Sequence, residues 1–465
     1  MSAHEAAPAA AQGVAARRPT PERLISLLGL TLALGYLAVL VTAALGGNFL
    51  LDGEGRPIAN DFVNVWAAGR LALDGNPAAA YDWTLHKAAE VRAVGHDFAN
   101  YYGWHYPPPF LFVAAALATL PYLVAALVWL AATLTAYAAT LGGILRSRAG
   151  ILLALGFPAA LWNVTAGQNG FLTAALIGGT LGLLERHPAL AGLCLGFLTY
   201  KPQFGLLFPI VLIADRRWLT IAVAALAAGG LAAASWLAFG GACWEAFLHW
   251  MPITGRVVLG EGAADWSRLQ SLFGLMRAHG AGEALAWTVQ SAGSFAVAAA
   301  LILLWRSRAC YEIKAAGLAV GALLATPYIY MYDLVVLAVA IAFLLRLPLQ
   351  RGFSAADSGA LAAAGILILA FPYVKTQVGL AAVLIVAALV VKTHSPTRPG
   401  LRRKLQLGLL DEGIGNHAAT MPSCCSPALS SCACRFAVAS SYASRVRSPL
   451  ARSSAARSLA FSALA

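Results

Sequence analysis

The stretch Asn60-Asp61-Phe62-Val63-Asn64-Val65-Trp66 places a carboxylate, two amides and an indole within seven residues. A carboxylate in such a setting can act as a general base if it reaches the hydroxyl of a nucleophile. Asn60 or Asp61 ahead of an apolar run also reads as a helix N-cap, and both readings hold if Asn60 caps while Asp61 points into a cavity. Lys201, in Tyr200-Lys201-Pro202-Gln203, interrupts apolar sequence. A lysine there is unfavourable unless it faces water or an anion, or snorkels to the interface. Gln168, in Gly167-Gln168-Asn169, is either a polar hairpin turn or a hydrogen-bonding group of a site. His105, among the aromatics Tyr101 to Tyr106, either donates to an anion or belongs to an interfacial belt. Tyr332 and Asp333 close the run Tyr328-Ile329-Tyr330-Met331-Tyr332-Asp333. The tyrosines suit interfacial anchoring, whereas the acid at the mouth of an apolar segment is harder to explain that way. Asp74-Gly75 is a turn signal, and Arg70 is a partner for one of the nearby acids.

The elements that must hold these residues are membrane helices. Of 465 residues, 60% are hydrophobic and 11% charged, against ~25% charged in soluble domains. The fold class is therefore an all-α polytopic membrane protein. Residues 1–20 form an Ala- and Pro-rich cytoplasmic tail expected to be disordered. Leu24 to Leu45 exceeds a signal-peptide core and is an uncleaved first span with its positive flank inside. A first extracytoplasmic loop occupies 46–107 and a second large one 241–283, both within a transmembrane domain over 21–395. A basic, Ser- and Ala-rich tail, 396–465, is again expected to be disordered. At ~20 residues per span, about 11–12 crossings are expected, several of them extending into the flanking motifs. Sidedness organises the rest. The arginine turns (146/148, 216/217, 306/308, 346/351) fall on one side, and the turns with Asp61, Gln168, Lys201 and Asp333 fall on the other. The second side reads as the outer, working face, with both termini cytoplasmic in a bacterial inner membrane.

The net charge of +12 sits in short loops and tails, as topology signals do, so no nucleic-acid partner is expected. Of the seven cysteines, Cys194, Cys243 and Cys310 read as small apolar residues. Cys424, Cys425, Cys432 and Cys434 lack the spacing of a zinc site, and no metal or cofactor is expected. The sequence has no Walker A loop and no nucleotide-binding domain. An enzyme on the outer face without nucleotide must draw its activated substrate from the membrane, which lipid-phosphate-linked donors allow.

The motifs together resemble the polytopic bacterial glycosyltransferases of family 87, which include polyprenol-phosphate-mannose-dependent mannosyltransferases. The matching pieces are Asp61 to Arg70 with Asp74 to Asp82, Tyr106-Pro107-Pro108-Pro109, Gly167-Gln168-Asn169, Ala191-Gly192 with Tyr200 to Gln203, and Pro327-Tyr328 to Tyr332-Asp333. They span about residues 20–395, and the 400–465 tail has no counterpart. The resemblance implies a GT-C-type glycosyltransferase fold with an outer-face active site. It also implies inverting transfer of a hexose, mannose among the candidates, from a polyprenyl-phosphate-linked sugar donor. The acceptor would be a hydroxyl of a glycolipid or glycan, and the membrane lipid is the remaining partner. Asp61 is the position that matches the family's catalytic base. Lys201 would stabilise the leaving phosphate, with His105, Gln168, Tyr332 and Asp333 as further donor-binding candidates. A transporter or flippase of lipid-linked sugars, and a cell-envelope polysaccharide polymerase or ligase, are the alternatives. A transporter needs polar groups on both faces at mid-membrane, and here they gather on one.

Overall fold

A computed structural model describes residues 20–262, 265–347 and 354–394. The N-terminal tail up to residue 19 and the tail from 396 onwards lie outside the described residues. Within them the protein is helical apart from a small hairpin, Asn48–Phe49 against Leu51–Asp52.

Among the described residues five helices are long and apolar enough to cross a membrane: Pro21–Leu45, Tyr122–Leu145, Trp218–Phe239, Glu283–Arg306 and Ala355–Val374. The first spans about 37 Å at 1.5 Å per residue, which exceeds a ~30 Å hydrocarbon layer. Thr20 caps it by accepting from the Arg23 amide, and Pro21 occupies its first turn. Its large side chains, Leu27, Leu28, Leu34 and Leu37 among them, are exposed, as lipid-facing residues are. Its inner contact is centred on glycines, with the Tyr36 hydroxyl donating to the Gly156 carbonyl at 3.2 Å. A Cβ on Gly29 would lie 2.4 Å from the Leu152 carbonyl oxygen, and one on Gly156 would lie 2.4 Å from that of Gly29. Such small-residue contacts let membrane helices approach closely where apolar burial gives no net drive.

The remaining apolar segments are shorter, so uninterrupted spans number fewer than the 11–12 crossings expected. Arg148–Gly156 and Pro158–Ala166 form one broken segment bent by 58°. Pro158 is the cause, because its ring removes a helical N–H and clashes with the preceding turn. Pro188–Phe197 and Leu207–Ala214 are likewise separated by short 3-10 turns around Lys201-Pro202. At the centre lies the hairpin of Tyr311–Leu324 and Val335–Arg346, whose residues Val335 to Leu345 are all buried. The C-terminal end of Pro158–Ala166 meets the chain at Asp61, and the turns at Lys201-Pro202 and before Val335–Arg346 meet through Lys201 and Asp333. There they supply the polar residues of the site.

Candidate active site

Asp61 immediately precedes the helix Phe62–Leu73 and makes no side-chain cap. Asn60 does that work, its Oδ1 accepting from the Phe62 amide at 3.1 Å. The carboxylate is thereby left for another partner. Three other acids of the first loop have partners of their own. Asp52 accepts from the backbone and guanidinium of Arg56, Asp74 pairs with Arg70 at 2.7 Å, and Asp82 caps Trp83–Val94 through the amides of Thr84 and Leu85. Arg70 thus has the structural role its position suggests.

Gln168 Nε2 donates to Asp61 Oδ2 at 2.8 Å. The bent segment delivers it there: the Asp61 amide donates to the Ala166 carbonyl at 3.0 Å, and the chain then turns at Gly167 with φ of 69°. Only glycine fits that turn, because the backbone is left-handed and a Cβ would sit 2.7 Å from Asn60 Oδ1. Gln168 Oε1 accepts from the Asn169 amide at 3.2 Å, and Asn169 Nδ2 donates to the Tyr106 hydroxyl at 2.7 Å. The Tyr200 hydroxyl donates to the Asn169 carbonyl at 3.1 Å. Gly170 then lets the following helix press against the chain at Tyr332, with a virtual Cβ 2.4 Å from the Tyr332 carbonyl oxygen.

Lys201 and Asp333, 132 residues apart, form a buried ion pair with Nζ 2.9 Å from Oδ1. Asp333 Oδ2 accepts from the Tyr330 amide at 3.1 Å. Lys201 Nζ also lies 5.5 Å from the Tyr332 ring centroid, and Tyr332 stacks on Tyr330 at 5.4 Å. The charges of Lys201, Arg268 and Asp333 all reach Asp61. Gln168, Lys201, Tyr332 and Asp333 are therefore drawn to Asp61, directly or as a neighbouring pair. His105 is not. Its ring folds back over Gly103, and its charge acts on His86. The adjacent Tyr106 is the residue that joins the Asp61 network.

Asp61 lines a cavity of about 250 Å3 with Asn48, Asn60, Tyr102 and Thr165. Its Oδ1 accepts no hydrogen bond among the described residues, so one carboxylate oxygen is fixed and the other is open. Burial pushes this carboxyl above its ordinary range, while the Gln168 hydrogen bond and the charges of Lys201 and Arg268 oppose the shift. A carboxylate so placed can accept a proton at near-neutral pH more readily than a solvated one.

Two features carried no sequence signal. Arg268, in the turn Trp266–Arg268, is exposed and its guanidinium has no partner among the described residues. Its loop is pinned to the site, since the Gln270 amide donates to the Ile329 carbonyl at 2.7 Å, and Gln270 Oε1 accepts from Gly379 at 2.8 Å. Nothing in the composition of 241–283 distinguishes Arg268 from Arg256 or Arg277. Behind Phe62–Leu73, Glu90 and His86 are fully buried. Burial pushes Glu90 up to about 8 and His86 down to about 4.

The curated proteins and the solved structures gave no match. A protein-family model does match, over residues 104–327. That stretch carries Tyr106, Gln168, Asn169, Tyr200, Lys201 and Arg268, while Asp61 and Asp333 flank it. The helical membrane architecture agrees with this match, by which residues 104–327 are similar to glycosyltransferase family 87.

Proposed function

We propose that the protein transfers a hexose from a polyprenyl-phosphate-linked donor to a hydroxyl of a glycolipid or glycan, with inversion, on the extracytoplasmic face of a bacterial inner membrane, within a GT-C-type fold. The observation that carries this reading is the open Oδ1 of Asp61 in its cavity, acted on by the charge of Arg268, which has no ion-pair partner among the described residues. Asp61 takes the proton of the acceptor hydroxyl as that oxygen bonds to the anomeric carbon. The bond from that carbon to the phosphate oxygen breaks, and polyprenyl phosphate leaves with the electron pair. Gln168 holds the base in register, leaving its proton-accepting oxygen free.

Charge on the departing phosphate needs cations aimed at it. Lys201 has its charge balanced by Asp333 at 2.9 Å, so it acts chiefly to shape the site. Arg268, unpaired and exposed, is the group available to bind phosphate oxygens bidentately. The chain divides along these lines: an inner core and lipid-facing spans within 21–395, with the first loop, 46–107, carrying the base and the second, 241–283, carrying the cation.

Purified protein in liposomes, given radiolabelled polyprenyl-phosphate hexoses and a panel of glycolipid and glycan acceptors, tests the reading. Transfer with inverted configuration and release of polyprenyl phosphate is the expected result. Movement of intact lipid-linked sugar between leaflets without transfer would overturn it in favour of a flippase.

A further inference from the structure

A second cavity, of about 600 Å3, lies between the turn Arg256–Gly260 and the start of the helix Glu283–Arg306. Its size is within the ~300–1,000 Å3 of small-molecule sites. One wall is aromatic, made by Trp287 and Tyr328, and the rim carries Arg256, Glu261 and Glu283. Arg256, Glu261, Glu283 and Trp287 are all exposed. The guanidinium of Arg256 and the carboxylate of Glu261 have no ion-pair partner among the described residues.

The cavity is built rather than incidental. Arg256–Gly260 is a π-helical turn, a wide form that is rare and recurs at functional sites. It is held open by Arg277, whose Nη2 donates to the Gly260 carbonyl at 2.7 Å and whose guanidinium lies 4.1 Å from the Trp266 ring centroid. Glu283 Oε1 accepts from Trp287 Nε1 at 3.3 Å, so carboxylate and indole stand side by side. A Cβ on Gly260 would reach to 3.3 Å of Glu283 Oε2, so a larger residue would crowd that carboxylate. Trp287 packs edge-tilted on Phe273 at 4.9 Å, and Tyr328 is tied by its amide to Thr326 Oγ1 at 3.1 Å.

These groups select a chemistry. Planar aromatic faces suit the C–H face of a sugar ring, carboxylates accept from several hydroxyls, and a guanidinium donates to others. Glu261 and Glu283 are balanced by Arg256 on the rim and by Arg277 behind Gly260, so no net charge favours an anionic headgroup or the donor's phosphate. A neutral polyhydroxylated ligand is what remains. The wall also leads towards Asp61. Tyr330, two residues beyond Tyr328, packs against the same apolar group of Leu259, Leu269, Phe273 and Ala286, and it feels the charges of both Asp61 and Arg268.

We propose that this cavity is a subsite for a neutral oligosaccharide, namely the part of the acceptor beyond the hydroxyl presented to Asp61. As an acceptor subsite it rests on the glycosyl-transfer reading above; as a saccharide site it stands alone. The acceptor is then a glycan of more than one sugar, gripped at a distance from the reacting centre.

The test measures binding before catalysis. The full chain in nanodiscs of zwitterionic lipid is titrated calorimetrically, without donor, with neutral gluco- and manno-oligosaccharides of one to four hexoses. Affinity should tighten about tenfold, or ~1.4 kcal/mol, between one and three hexoses. Trp287→Ala should abolish that gain, and Glu261→Gln, a surface change with no packing consequence, should reduce it several-fold. Length-independent affinity, or a gain that survives both rim variants, would overturn the proposal. So would anionic lipid displacing the sugar while Glu261→Gln strengthens the lipid's hold, which would mark a headgroup site. Release of polyprenyl phosphate from donor is followed on the same samples. Its absence in the wild-type protein would count against the transferase reading, while a length gain lost in Trp287→Ala would still establish the saccharide site.

Discussion

At one end of the helical bundle Arg146, Arg186 and Arg346 gather around Glu312. At the other, Lys201, Asp333 and Arg268 gather around Asp61. The first group is exposed or half-buried, and its single ion pair there, Arg346 to Glu312, is loose at 3.5 Å. The guanidinium of Arg346, then desolvation and Arg186, lower the hold of Arg146 on its proton. Like charges tolerate that crowding only where water screens them. The second group mixes signs, is largely desolvated, and is wired by hydrogen bonds of 2.7 to 2.9 Å through Tyr106, Asn169, Gln168 and Lys201. Charge at the first end is solvated and loosely paired, as in residues that flank membrane helices. Charge at the second is held in fixed geometry, the condition for chemistry.

The widest test of that contrast sets Asp61→Asn against Arg146→Gln. Asparagine keeps the size of the side chain and can still pair with Gln168, but it takes no proton. Transfer should fall by ~10²–10⁴-fold, the range of a lost general base, with circular dichroism and elution unchanged. Arg146→Gln should leave the rate within about twofold, as surface changes worth ~0.5 kcal/mol do. Equal losses in the two variants would erase the distinction between the ends.

The next effect is on stability. Lys201→Met strands Asp333, which is buried, and removing one partner of a buried pair costs about 3–5 kcal/mol. The double change Lys201→Met with Asp333→Leu should recover much of that loss. Asp74→Asn, at the exposed Arg70 pair, should cost about 0–1 kcal/mol. Melting of the detergent-solubilised protein reads all of these. If Lys201→Met leaves melting unchanged but weakens donor use, the lysine faces the phosphate directly and its pairing with Asp333 is incidental.

Arg268→Gln comes third. Hydrogen bonds to a charged partner contribute ~1.5–3 kcal/mol, so the donor KM should rise about tenfold or more with kcat less affected. Added salt should narrow the gap between variant and wild type. Arg256→Gln, on the same loop but at the second cavity, should leave donor KM alone. A reversed pattern would exchange the roles of the two arginines.

How much of this the sequence carried depends on the range of the interactions. Membrane class and the sorting of arginine turns from polar turns were legible, because hydropathy and charge are local properties. So was the division of labour between Asn60 and Asp61, since a cap is read within one turn. The pairing of Lys201 with Asp333 was not, as each residue signals a polar position and neither names a partner 132 residues away. Where the apolar segments break was not legible, because Pro158 and Pro202 leave hydropathy high while interrupting the helix. His105 drew attention as a titratable group among aromatics, yet its neighbour Tyr106 reaches Asn169. Only the backbone path through the three prolines decides which of the two turns inward. Arg268 was invisible because its significance lies in lacking a partner near Asp61.

The smallest effect expected is also the most diagnostic of how the base is tuned. Asp61 must be ionised to take a proton, and burial holds its carboxyl above the ordinary range. Transfer should therefore fall as pH drops through that raised value, giving kcat/KM an acid limb above the ~3.9 of a free aspartate. Gln168 donates to the ionised form and so lowers the value against burial. Gln168→Leu removes that donor, and the limb should move to higher pH by up to about one unit, or ~1.4 kcal/mol. Gln168→Glu should move it further, because a carboxyl beside a carboxylate disfavours the second charge. At pH well above the limb the leucine variant should regain most of its rate if Gln168 only tunes the base. A rate depressed equally at every pH would show instead that Gln168 holds Asp61 in position. An acid limb that stayed put in both variants would separate Asp61 from the titration altogether.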